Sequence, residues 1–159
     1  MPSVDLSIFQ TAAAYRAFTP EDWATLSNIL TEKNIPAGEK VFKENDPGDG
    51  FYWIRSGKVR ISKMVVSAEK KVKQEHLLAL LTSGNIFGEM ALVDKAPRSA
   101  DAIAENDTVV YYLSQDAYES LKKDHPTTAL RIQDVLTQTL SSRIRAVNRS
   151  FEVIQFWVS

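Results

Sequence analysis

The sequence predicts an α+β fold: an antiparallel β-roll, or double-stranded β-helix jelly roll, flanked by an N-terminal helix and two C-terminal helices, the last one long. Three observations point there. All six glycines (Gly38, Gly48, Gly50, Gly57, Gly84, Gly88) fall between residues 38 and 88, where they separate short apolar or alternating runs. A helix start, Thr19-Pro20-Glu21-Asp22, stands before that stretch. After it, from Thr127 towards Phe156, apolar residues recur at helical spacing.

Residues 1-33 form a helical lead-in. Leu6, Ile8, Phe9, Tyr15 and Phe18 lie among small and polar residues and suit a short helical segment packed on the domain. Thr19 is the N-cap, Pro20 takes the first helical position and acids fill the first turn; Trp23, Leu26, Ile29 and Leu30 carry the helix to about Lys33. Residues 34-113 hold the roll, with strands expected at 41–43, 51–55, 59–66, 76–81, 100–104 and 108–113. Asp46-Pro47-Gly48-Asp49 is a tight turn rather than a metal loop. Lys63 and Glu69-Lys70-Lys71-Val72-Lys73 mark a solvated hairpin tip, because Glu69 and Glu75 temper the lysines.

Residues 114-159 are helical. Ser114-Gln115-Asp116 starts one helix, with Ala117, Tyr118 and Leu121 apolar and Lys122-Lys123 suiting its C-terminal end, until His125-Pro126 interrupts it. The long helix then carries Leu130, Ile132, Val135, Leu136, Leu140, Ile144, Val147, Phe151 and Ile154 in one broad stripe. From Leu140 to Ile154 the steps are four, three, four, three, the seam of a coiled coil lasting about two heptads. Phe151, Phe156 and Trp157 are expected to dock onto the domain or a partner chain.

With 19 basic and 20 acidic side chains and a net charge of -1, nothing global attracts nucleic acid or an anionic membrane, so any anion site must be local. The absence of cysteine removes disulfides, thiolate zinc sites and cysteine nucleophiles. His76 and His125 are too few for a cupin-type metal centre, and no Ser-His-Asp arrangement can be argued, so no enzyme activity is expected. The start MPSVDLSIFQ lacks a basic region with a continuous apolar core, and no apolar run reaches about 18 residues; the cytoplasm is the expected compartment.

The chemistry concentrates in 87–100, FGEMALVDKAPRSA. A helical turn starting at Gly88 leaves its first amide N–H groups without intrahelical partners, and glycine permits close approach of a phosphate. Arg98 can pair with that phosphate through two N–H groups, while Glu89, an acceptor only, can take hydrogen bonds from vicinal hydroxyls. Together they describe a site for a sugar phosphate.

This run resembles the phosphate-binding cassette of the cyclic nucleotide-binding domain family. There, Phe-Gly-Glu-apolar-Ala-Leu is followed at this separation by Pro-Arg and two small residues; Phe87, Gly88, Glu89, Met90, Ala91, Leu92, Pro97, Arg98, Ser99 and Ala100 match in order. The run from Pro36 to Ser62 is similar too, with Asn45 where glycine is usual, and asparagine tolerates a left-handed backbone. The resemblance implies a ligand site of Phe87, Gly88, Glu89, Met90, Ala91, Arg98, Ser99 and Ala100, with Glu89 on the ribose 2′-hydroxyl and Arg98 on the cyclic phosphate. It further implies a base contact from the long helix, where Arg145 and Asn148 are the candidates, and a parallel homodimer through residues 127-156.

The resulting expectation is a non-enzymatic sensor of cAMP, favoured over cGMP, that signals through movement of the C-terminal helix to an unspecified protein partner. The alternative is a piece of a larger transcription regulator, channel or kinase. Ser99 keeps cGMP open, since its hydroxyl could meet the phosphate or a guanine amino group. Asp101 is harmless if it points outwards and opposes binding if it lies beside the phosphate.

Overall fold

The computed structural model describes residues 4–66 and 71–158, with side chains to residue 149. Glu69 and Lys70 of the expected hairpin tip, and the side chains of Phe151, Ile154, Phe156 and Trp157, lie outside the described residues.

A short helix α1 (Ser7–Gln10) and a 3-10 turn (Ala13–Tyr15) lead to α2 (Pro20–Ile29). Its start is a reciprocal cap: the Thr19 hydroxyl accepts from the Asp22 amide at 3.3 Å, and the Asp22 carboxylate accepts from the Thr19 amide at 2.6 Å. The strands are β1 (Thr31–Ile35), β2 (Lys40–Phe42), β3 (Gly50–Ser56), β4 (Lys58–Val66), β5 (Lys73–Thr82), β6 (Ile86–Phe87), β7 (Asp101–Ala104) and β8 (Thr108–Ser114). A five-residue helix, α3 (Met90–Asp94), joins β6 to β7, and α4 (Gln115–Asp124) and α5 (Pro126–Val158) follow. One sheet has the order β1-β8-β3-β6 and the other β2-β7-β4-β5, with antiparallel neighbours throughout. This is the expected roll.

Alternation along β3 and β8 sets the layering. Phe51 and Trp53 of β3, with Tyr111 and Leu113 of β8, face the helices and pack with Phe9, Leu26, Leu121 and Ile132. Tyr52, Ile54 and Val110 point the other way, into the roll, beside Val59, Phe87 and Ala102. A strand buried on both faces reads as a continuous apolar run, which is why Phe51-Tyr52-Trp53-Ile54 shows no polar alternation.

Two expectations are corrected. The helix predicted to reach Lys33 stops at Ile29, and residues 31–35 pair with β8 from Thr31 opposite Tyr112 to Ile35 opposite Thr108. Ladder hydrogen bonds to a distant strand override a local spacing that helix and strand both tolerate. The single stripe expected on α5 is two faces: Ile132, Val135 and Leu136 are buried, whereas Leu130, Ile144 and Val147 are exposed.

Asp22 does more than cap α2. Its buried carboxylate also accepts from the Thr128 hydroxyl at 2.6 Å and from Arg131, so it pins the start of α5 to α2. Burial pushes this carboxyl up, but the hydrogen bonds from Thr128 and Thr19 and the charge of Arg131 outweigh it and hold the group below its usual range. A depressed folded value means the stabilisation is complete above the unfolded value of about 4 and is lost as pH falls through the lower folded value. Asp22→Asn is therefore expected to lower the unfolding free energy by about 2–4 kcal/mol at pH 7 and to flatten the acid limb of the stability profile, measured by urea denaturation between pH 3 and 7.

Candidate functional site

Phe87 ends β6 opposite Tyr52, and their rings stack 5.1 Å apart at 15°. Gly88 then takes φ +76°, a left-handed turn that residues with a Cβ resist, and delivers the chain into α3 with Glu89 as its first flanking residue. The helix is short because Lys95 turns left-handed at φ +56° and Pro97 follows. The chain thereby returns to place Arg98 against Gly88.

Arg98 is 3 % exposed. Its Nη1 donates to the Gly88 carbonyl at 2.8 Å and its Nη2 to Asp49 Oδ1 at 2.9 Å. Its backbone is clamped by the turn before β3: the Asn45 amide donates to the Arg98 carbonyl at 2.8 Å, and the Arg98 amide donates to the Asp46 carbonyl at 2.9 Å. Asn45 adopts φ +69°, the left-handed conformation for which an asparagine suits that place. Gly48 in the same turn lies so close to α3 that a Cβ there would sit 2.1 Å from the Ala91 Cβ. The Asp46-Pro47-Gly48-Asp49 turn is thus structural, and what it structures is the site.

Glu89 is 1 % exposed. One carboxylate oxygen, Oε1, accepts from Nη1 of Arg143 on α5, and Arg143 Nη2 donates to the Ile86 carbonyl. The other oxygen, Oε2, is buried without a hydrogen-bond partner, and so is Nε of Arg98. Buried polar groups are normally paired. The residues that carry this unpaired acceptor and this unpaired donor both line one cavity of about 140 Å³, together with Phe87, Gly88, Met90, Ala91, Ser99, Ala100 and Arg143. A ligand that satisfies both presents an anionic oxygen to Arg98 and a hydroxyl to Glu89.

Asp101 points away from this cavity. Its carboxylate accepts from Lys40 Nζ at 2.5 Å and from the Glu44 amide at 2.7 Å. Burial raises its pKa, but these two hydrogen bonds and the charges of Lys40 and Lys43 prevail and hold it below the ordinary range. Arg145 and Asn148 are not brought to the cavity. Both are exposed, and Arg145 reaches Ser141 at 3.4 Å and lines a separate groove between α3, α4 and α5. At about 100° per residue, a two-residue step from Arg143 turns Arg145 to the far side of the helix.

Arg143 is the residue that reading the sequence for a binding site passes over. Its signal is position: Ile132, Leu136, Thr139 and Arg143 follow steps of four, three and four, so a cation continues the inward face of α5. Among the described residues no cluster of metal-ligating side chains forms, and no helix is long and apolar enough to cross a membrane.

The family model for the cyclic nucleotide-binding domain matches residues 32–125. The chain is 30% identical over 142 residues to the cyclic AMP receptor protein of Thermus thermophilus, covering 89% of this chain and 62% of that one. It is 33% identical over 125 residues to the cAMP-dependent protein kinase regulatory subunit of Emericella nidulans, covering 72% of this chain and 28% of that one. The crystal structure of a cyclic nucleotide-binding domain from Methylobacillus flagellatus superposes with a TM-score of 0.78 at 28% identity, over 89% of this chain and 76% of that one. The chain therefore spans less than two thirds of the length of these two curated relatives.

Because the turn at Gly48 and α3 touch, Gly48→Ala is expected to displace the cassette and lower the unfolding free energy by about 1–3 kcal/mol. Urea denaturation measures the loss, and an unchanged midpoint would show that the turn gives way without cost.

Proposed function

The chain belongs to the cyclic nucleotide-binding domain family, and on that basis we propose that it is a non-enzymatic cyclic nucleotide sensor, selective for cAMP over cGMP, that signals through α5. The observation that carries this reading is that Arg98 and Glu89, each holding a buried atom without a partner (Nε and Oε2), line one small cavity. The cyclic phosphate takes the Nε edge of Arg98, with the Ser99 hydroxyl beside it, and a ribose hydroxyl takes Glu89 Oε2. At about 140 Å³ the cavity is well below the roughly 300–1,000 Å³ of pockets that enclose a whole drug-sized ligand, so the base extends towards α5. The names of the Thermus and Emericella relatives support cAMP as the nucleotide.

Transmission follows from sharing. Arg143 and the ribose use the same carboxylate, so a bound ligand alters the contact that holds α5 to the cassette. It thereby favours one placement of the helix over another, and couplings of about 1–3 kcal/mol are typical of such linkage. The exposed seam of Ile144 and Val147, continuous with the half-buried Leu140, suits a parallel homodimer. In that dimer Arg145 and Asn148, turned from their own cavity, reach a base only across the paired helix. The 62% coverage of the Thermus relative supports a second reading, in which this domain is the sensor of a longer regulator.

Calorimetric titration of nucleotide-free protein with cAMP and cGMP tests the function. Tight binding of cAMP and weaker binding of cGMP are expected, and Arg98→Ala should cost about 2–5 kcal/mol of affinity; a wild-type protein that binds neither nucleotide overturns the proposal. For the dimer, Ile144→Glu places like charges on the seam and should shift the protein from dimer to monomer in sedimentation equilibrium, with its fold intact.

A further inference from the structure

The strand β2 departs from regular pairing at the point where it meets the site. Lys40 lies opposite Ile103 and Phe42 opposite Ala102, so β2 advances two residues while β7 advances one. Such a bulge turns two consecutive side chains to one face. Val41 and Phe42 both pack against the interior cluster of the roll, where an unbroken strand would send one of them outwards. The extra residue aims the Phe42 ring at Arg98, with 4.3 Å from the guanidinium carbon to the ring centre.

That ring is itself held. Phe42 lies 5.9 Å from Tyr52 and 5.9 Å from Phe87, whose rings stack on each other, so three aromatic groups form a platform below the cation. Beside the cation and the ring, Gly88 leaves the space open: a Cβ there would come 2.7 Å from Arg98 Nη1 and 3.3 Å from Phe42 Cε1. The bonds to the Gly88 carbonyl and Asp49 hold the two Nη atoms, and the Phe42 ring lies under the guanidinium carbon. Asp49, the anionic partner of Arg98, has a side chain 66% exposed, so water screens it. The negative face of this half-buried ring supplies stabilisation that the exposed carboxylate cannot supply alone.

We propose that Phe42 is a positioning residue: its ring, aimed by the β2 bulge, holds Arg98 by cation–π attraction so that the unpartnered Nε edge meets the anionic oxygen of the ligand. The effect on affinity rests on the cyclic nucleotide reading, whereas the stacking itself does not.

Phe42 is replaced by 4-fluoro-, 3,5-difluoro- and 3,4,5-trifluorophenylalanine, rings of nearly unchanged shape and falling π-electron density, and by Phe42→Leu. The Kd for cAMP should rise stepwise along the fluorinated series, to about tenfold, with Phe42→Leu at least as weak. A role in packing alone would leave the fluorinated proteins within twofold of wild type, and that result overturns the proposal. In the absence of ligand, the side-chain N–H signals of Arg98 in nitrogen-15 NMR should show ring-current shifts and slow rotation that Phe42→Leu abolishes; identical signals in both proteins also overturn it. A protein that binds no cyclic nucleotide yet shows this NMR difference keeps the stacking and discards the ligand.

Discussion

A guanidinium cannot shed its charge at physiological pH, so burying one at 3 % exposure obliges the surrounding chain to supply acceptors or an anion. Arg98 sets that demand, and several otherwise unrelated irregularities answer it. The left-handed glycine at 88 offers its carbonyl, the turn from Asn45 to Asp49 supplies two backbone bonds and a carboxylate, and the bulge in β2 provides an aromatic face. Each is a local departure from regular strand or helix. Together they give both Nη atoms a partner and leave Nε with none, which concentrates remaining desolvation cost where an anionic ligand would remove it.

The long C-terminal helix has its own polar requirements. Most of its inner face is Ile132, Val135 and Leu136, and apolar contacts of that kind tolerate small slides and rotations. Two ionic contacts do not: Asp22 receives Thr128 and Arg131 near the helix start, and Glu89 receives Arg143 about four turns later. Charged hydrogen bonds demand particular distances and angles. They specify the register of the helix on the roll, and one of them is also part of the ligand cavity.

The parts of the site that were legible in the sequence are those whose spacing is local. Gly88, Glu89 and Arg98 lie within one short loop–helix–loop segment, so their separation alone encodes their meeting, and Asn45 announced a left-handed turn through its own backbone preference. Phe42, Asp49 and Arg143 reach the same place from distant segments, and nothing local distinguishes them from a strand aromatic, a turn acid and a surface arginine. The placement of Asp101 depended on Lys40, 61 residues away in the chain. The family resemblance implies a base contact from the long helix and so points to its polar residues Arg145 and Asn148, but the rotation of the helix turns both away from the cavity. Likewise the residues that became β1 hold no pattern that excludes a helix; only β8, nearly 80 residues on, makes them a strand.

For the movement of α5 proposed above, the clamp at Asp22 supplies the geometry of a lever. With its fulcrum near Thr128, Arg143 lies about 22 Å along the axis and Val158 about 45 Å, at about 1.5 Å per residue. A sideways displacement at Arg143 is thus roughly doubled at the far end of a stiff helix.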